Sequence, residues 1–185
     1  MYWTDWGIDE RIEKADMDGA NRTIVIRSGL YFPSGLALDI AKNWLYWVDW
    51  YYDKLEVYEF PSNTRREIIS SHSETFLSFP LGLALYEDQL YWTDRRWRGI
   101  YRADRDTGGN VVKILSTQSL PTLIHAYDNN NTVTPGISNF CSMFLVIFAP
   151  RTQEVMLAFL KGLGHAVLGN FSTDQMVIEF IEISK

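Results

Sequence analysis

The chain has 185 residues, of which 46% are hydrophobic and 15% aromatic; this is ample for a packed core and excludes disorder as the default state. A net charge of -6 without a basic stripe excludes a phosphate-reading, nucleic-acid-binding surface. Cys141 stands alone, so no intrachain disulfide forms.

Taken in order, Tyr2-Trp3-Thr4-Asp5 reads as a strand and Arg11 to Asp16 as the next. Met17-Asp18-Gly19-Ala20 then turns into a third strand, Asn21 to Ile26, because Asp-Gly between such runs is a strong hairpin signal. A complete set of four follows: Gly35 to Asp39, Trp44 to Asp49, Lys54 to Glu59 and Arg65 to Ile69, with Pro61-Ser62-Asn63 as a turn. Phe79 to Leu85, Leu90 to Asp94, Gly99 to Asp104 and Asn110 to Leu115 repeat that set, with Asp106-Thr107-Gly108-Gly109 as the outer turn. Leu120 to Tyr127 occupies the first position of a further set.

Beneath this order lies a repeat. Tyr2-Trp3-Thr4-Asp5, Tyr46-Trp47-Val48-Asp49 and Tyr91-Trp92-Thr93-Asp94 start 44 and 45 residues apart. Such a period with short strands denotes four-stranded propeller blades, since helical repeats would place apolar residues every three to four positions. The expected fold is therefore all-β: an incomplete β-propeller with two full four-stranded blades and partial blades at both ends.

Blade geometry explains the motif. Gly35 and Gly82 suit crowded inner strands, where a missing side chain lets backbones approach. Tyr2, Trp3, Tyr46, Trp47, Tyr91 and Trp92 fill the widening gap between blades. Asp5, Asp49 and Asp94 end their strands and are expected to accept hydrogen bonds in the following turn, a structural role rather than a metal or ligand ring. Arg95-Arg96-Trp97-Arg98 reads as a solvated loop tip.

Together with Phe-Pro-x-Gly-Leu-Ala-Leu, Ile-Glu-Lys-Ala-Asp-Met-Asp-Gly and Ile-Tyr-Arg-Ala-Asp, the tetrapeptide resembles the YWTD propeller of the low-density lipoprotein receptor family, over residues 1 to about 140. Details such as Leu38-Asp39-Ile40 are most similar to the giant low-density lipoprotein receptor-related proteins. In that family the propeller has six blades and is followed by a cysteine-rich EGF-like module. The resemblance implies a non-catalytic ligand-binding segment of a type I endocytic or signalling receptor. Lipoproteins, protease complexes or Wnt-pathway proteins are the implied ligands, met on the extracellular side of the plasma membrane or in endosomes.

The division expected is a propeller segment at 1–127, a linker at 128–140 and a degenerate tail at 141–185 where the EGF-like module would stand. Strand-like runs at Ser142 to Phe148 and Met176 to Ile183 are expected to extend or cap the last blade, and Glu154 to Leu160 reads either way. The strand near Leu123 is expected to lack a partner. No signal peptide is read at the N-terminus, and the longest apolar run, Met143 to Ala149, is far short of the roughly 20 residues that span a bilayer. A fragment, partial gene product or degenerate copy is the corresponding expectation.

The resemblance directs attention to the face where inner strands begin and second strands end. Trp6, Trp50, Phe32, Phe79 and Arg95 are the candidate binding residues there, aromatics beside charge being the usual material of hot spots. Packing against the next blade is the alternative role of Phe32 and Phe79. Asn21, Asn130 and Asn170 head glycosylation sequons. His72, His125 and His165 lie in no catalytic motif, and no metal or cofactor is expected; His125, near the axis, is the one placed to titrate at endosomal pH. A matrix propeller of the nidogen kind is the structural alternative. A metal-dependent propeller hydrolase is a remote one, for which the inner strands supply just Asp39.

Overall fold

The computed structural model describes residues 1–71, 77–128, 142–147 and 178–183. It contains four antiparallel sheets and, among the described residues, no α-helix. The first sheet has three strands, β1 (Tyr2–Asp5), β2 (Arg11–Lys14) and β3 (Thr23–Ile26). The second runs in chain order through β4 (Pro33–Asp39), β5 (Trp44–Asp49), β6 (Lys54–Glu59) and β7 (Thr64–Ser70). The third repeats it with β8 (Pro80–Tyr86), β9 (Gln89–Asp94), β10 (Gly99–Asp104) and β11 (Val112–Ser116). Blades of a propeller have this meander, inner strand first.

The fourth sheet corrects one expectation. β12 (Leu123–Asp128) does have a partner: β13 (Ser142–Ile147) pairs along it from Leu123 opposite Ile147 to Asp128 opposite Ser142, and β14 (Ile178–Ile183) pairs with β13. An inner strand left alone would expose a row of unpaired N–H and C=O groups, and the apolar, β-branched runs of the tail supply what pairs with them. The tail strands thus extend the last blade, as their composition implied. His72, Cys141, Asn130, Asn170, His165 and the run Glu154 to Leu160 fall outside the described residues.

Neighbouring blades meet at their inner strands, β4 beside β8 and β8 beside β12. Glycine makes this possible. A Cβ on Gly35 would lie 2.5 Å from the Leu81 carbonyl oxygen and 2.5 Å from the Leu83 nitrogen, and one on Gly82 would lie 2.7 Å from the Ile124 nitrogen. The register of each inner pair is irregular at these points, between Pro33 and Leu36 and between Pro80 and Leu83, as a bulge beside glycine produces.

Alternation along the second strands assigns the motif residues to opposite gaps. Trp47 packs with Ile12, Ile26 and Leu30 of the preceding blade, whereas Tyr46 packs with Leu83, Leu90 and Trp92 of the following one. Tyr91 likewise joins Ile124 of the fourth sheet. Tyr46, Trp47 and Trp92 are fully buried, Tyr91 nearly so, while Tyr2 and Trp3 are half-buried.

Candidate ligand-binding face

Each complete blade fastens its turn with the motif carboxylate. Asp49 is fully buried; its Oδ2 accepts the Tyr31 N–H at 2.8 Å, and its Oδ1 accepts those of Phe32, Tyr51 and Tyr52 at 3.1 to 3.2 Å. Asp94, equally buried, accepts the N–H groups of Ser78 at 2.7 Å, Phe79 at 3.0 Å and Trp97 at 2.9 Å. The aspartate therefore holds the segment entering its own inner strand as well as the turn that follows. Asp5 differs: its side chain is 44% exposed and pairs with the Arg11 guanidinium at 2.6 Å.

Between blades, hydroxyls cross the seam. Thr4 Oγ1 donates to the Ser34 carbonyl at 3.2 Å, and Thr93 Oγ1 donates to the Thr122 carbonyl at 3.2 Å while accepting the Gly82 N–H at 2.9 Å. The middle motif has Val48 at this position. There Ser34 supplies the hydroxyl, with Oγ 3.3 Å from the Pro80 carbonyl oxygen and 3.4 Å from that of Val48. Strand reading alone missed Ser34, but the exchange was present as Thr4/Val48/Thr93 set against Ser34/Leu81.

The entry and turn segments bring the five candidate residues into one row. Trp6 meets Phe32 edge-on with centroids 5.5 Å apart; Phe32 stacks on Trp50 at 4.2 Å and 10°; Trp50 stacks on Phe79 at 4.5 Å and 23°. The Arg95 guanidinium closes the row 5.7 Å from the Phe79 centroid. Backbone bonds set its spacing, Trp50 N–H to Phe32 O at 3.2 Å and Arg95 N–H to Phe79 O at 3.0 Å. Phe32 and Phe79 are half-buried, so packing between neighbours and presenting an edge are one arrangement here. Trp6 remains 58% exposed. Tyr31, Tyr51 and Tyr52 widen the row, Tyr31 stacking on Tyr51 at 4.1 Å.

Asp53, at the end of the β5–β6 turn, has a buried Oδ1 without a hydrogen-bond partner. Burial, reinforced by the charge of Asp94, pushes its carboxyl up from 3.8 to about 6, partly offset by Arg96.

On the opposite face, Asp39 is a buried acceptor and no open axial ligand. It takes the Lys42 N–H at 3.0 Å and the Arg105 guanidinium at 3.0 Å. Arg105 also reaches Asp88 at 2.8 Å and Asp106 at 3.2 Å, and Lys42 pairs with Asp106 at 2.8 Å, which clips the second sheet to the third. Among the described residues no three His, Cys, Asp or Glu side chains group to hold a metal ion. His125 lies on β12 with its side chain exposed, and Asn21 is exposed on the β2–β3 turn, its amide donating to Asp16 at 2.6 Å.

The family model for the low-density lipoprotein receptor repeat class B matches residues 1–40. The chain carries a low-density lipoprotein receptor class B repeat in those residues. It is 31% identical to the vitellogenin receptor Yl of Drosophila melanogaster over 69% of its own length, and 28% identical to the vitellogenin receptor of Solenopsis invicta over 88%. It spans 6% and 8% of those receptors' lengths. Among solved structures, a chain of a nidogen/laminin complex superposes with a TM-score of 0.62 at 26% identity, over 79% of this chain and 53% of that one. A gluconolactonase from Xanthomonas campestris, 13% identical, superposes with a TM-score of 0.54 over 76% of this chain and 42% of its own, a likeness of fold alone.

Proposed function

We propose that this class B repeat segment is a non-catalytic ligand-binding module of a low-density lipoprotein receptor-related endocytic or signalling receptor, working on the extracellular side of the membrane. The observation that carries the reading is the continuous row from Trp6 through Phe32, Trp50 and Phe79 to Arg95. Its middle is held in place, since Phe32 and Trp50 each lie between two other rings and Phe79 between Trp50 and Arg95, and it is amphipathic, since the rings end at a cation. Aromatics held in this way lose little freedom on binding. Similarity to two vitellogenin receptors supports vitellogenin as the first ligand to try.

The second reading, a structural matrix propeller, draws on the nidogen/laminin likeness. Surface plasmon resonance of the immobilised chain against vitellogenin and against a laminin fragment separates them. The receptor reading expects vitellogenin to bind and Trp50→Ala to weaken it about tenfold or more, the loss of one hot-spot ring. Binding of the laminin fragment alone would favour the matrix reading. Turnover of a lactone by the purified chain, abolished by a chelator, would overturn both in favour of a hydrolase.

A further inference from the structure

The turn after each motif aspartate is built to one plan in the two complete blades. Trp50-Tyr51-Tyr52-Asp53 follows Asp49, and Arg95-Arg96-Trp97-Arg98 follows Asp94. The fourth residue is left-handed in both, Asp53 at φ 51° and Arg98 at φ 45°. The plan is satisfied by backbone N–H groups, so it imposes no side chain on the first three positions. At the fourth it favours a short polar residue such as Asp over a long one such as Arg. Blade geometry therefore accounts for the turn and leaves its arginines unexplained.

Those arginines differ from six others in what they touch. Arg11, Arg22, Arg27, Arg65, Arg66 and Arg105 each hold a carboxylate. Among the described residues Arg95, Arg96 and Arg98 hold none: Arg95 rests on the Phe79 ring, and Arg98 donates to the Gln118 carbonyl at 3.4 Å. Arg95, Arg96 and Arg98 side by side concentrate positive charge in a chain of net charge -6, with the charge of Arg96 also felt by the Asp53 carboxyl of the preceding blade's turn. Trp97 between them is 47% exposed.

The turn is also pinned before anything binds. Arg95 N–H donates to Phe79 O at 3.0 Å, Thr117 N–H to Arg98 O at 2.8 Å, and Lys113 Nζ to Trp97 O at 3.1 Å. The aromatic turn of the preceding blade abuts it, because Trp50 and Arg95 flank the same Phe79 ring.

We propose that the Arg95–Arg98 turn, with the aromatic turn Trp50–Tyr52 beside it, is a docking surface for an acidic peptide segment of a partner protein. Carboxylates meet the guanidinium groups while apolar side chains between them lie on Trp50 and Trp97. Charge complementarity selects the partner and the pinned backbone limits the ordering cost. This proposal rests on the reading of the aromatic row as the ligand-binding face and names the chemistry of what it takes.

The test uses the full chain and a short fluorescein-labelled peptide of alternating glutamate and tyrosine, with its glutamine counterpart as control, read by fluorescence polarisation. The glutamate peptide is expected to bind, to weaken with added salt, and to lose about tenfold or more in affinity when Arg95, Arg96 and Arg98 are replaced together by Gln. Arg96→Gln alone, at an exposed position, should lose about two- to threefold while circular dichroism stays unchanged. Equal binding of the two peptides, or an undiminished triple variant, overturns the proposal; so does binding of heparin with none of the peptide. If vitellogenin binding falls with Trp50→Ala but not with the triple variant, the ligand face stands and its acidic specificity fails. If neither change matters, both readings fail.

Discussion

Replacing the motif aspartate by asparagine separates its three copies. Asp94 is fully buried and accepts three backbone N–H groups, two on Oδ2 and one on Oδ1. Asparagine keeps one oxygen, so it can still serve Ser78 and Phe79, now through neutral bonds, but its NH2 then faces the Trp97 N–H donor to donor. One charge-assisted bond is worth about 1.5–3 kcal/mol net, and a buried donor left unpaired costs about 1–3 kcal/mol. Allowing for relaxation of the turn, Asp94→Asn should cost about 2–4 kcal/mol, and Asp49→Asn as much or more. Asp5 is 44% exposed and holds a surface arginine, a pair worth about 0–1 kcal/mol. Urea unfolding followed by tryptophan fluorescence reads the difference. With a slope of about 2 kcal/mol/M, the midpoint should fall by roughly 1–2 M for Asp94→Asn and by less than about 0.5 M for Asp5→Asn. Equal shifts for the two would refute the assignment of the carboxylate to backbone fastening.

Gly35→Ala and Gly82→Ala each drive a methyl group to within 2.7 Å of backbone atoms on the next inner strand. Each should cost about 3 kcal/mol or more by overpacking, seen as a lowered Tm or loss of soluble protein, whereas Gly19→Ala, with open space around its Cβ, should cost only the strain of its φ. Arg105→Ala strands the buried Asp39 and is expected to destabilise by about 2–4 kcal/mol, with Asp39→Asn on the same chain recovering part of the loss in calorimetry. Asp53→Asn bears on pH. The Asp53 carboxyl titrates higher in the folded chain, about 6 against 3.8, so ionising it weakens the fold as pH rises through that window, fully so above it. The asparagine variant, which suits the left-handed φ of 51°, should therefore melt a few degrees higher than the parent at neutral pH. The two should converge near pH 4 (about the ordinary carboxylate value), and a gap that stayed constant with pH would count against a buried, unpaired carboxyl.

Strand positions were legible because their causes are local. Trp44–Asp49, Lys54–Glu59 and Gly99–Asp104 run between the residues expected, each bounded by a turn former and each alternating between two gaps. The role of Gly35 and Gly82 was legible from the repeat itself. The partner of β12 was hidden, since pairing Leu123–Asp128 with Ser142–Ile147 is a long-range choice that composition leaves open. The Asp39–Arg105 clip joins residues 66 positions apart and follows from no spacing in the sequence. At the candidate face, aromatics and Arg95 could be named one by one from their places after the motif. Their fusion into a single row was not visible, because it depends on how far neighbouring blades turn relative to one another. The loop arginines were read as a solvated tip, and Arg96 and Arg98 are exposed; that Arg95 rests on the Phe79 ring is a property of surroundings that only coordinates show.

The fastening of each turn by a carboxylate on main-chain N–H groups has an evolutionary consequence. Main-chain donors are common to every residue except proline, so Asp49 and Asp94 grip the same backbone whether the turn reads Trp-Tyr-Tyr or Arg-Arg-Trp. Scaffold and specificity are thereby written in different parts of one repeat. Duplicating the unit copies the grip intact, and each copy is then free to drift toward its own chemistry at the three side chains that face outward. A lineage of such repeats can diversify its recognition surface by point substitution alone, with the fold insulated from the search.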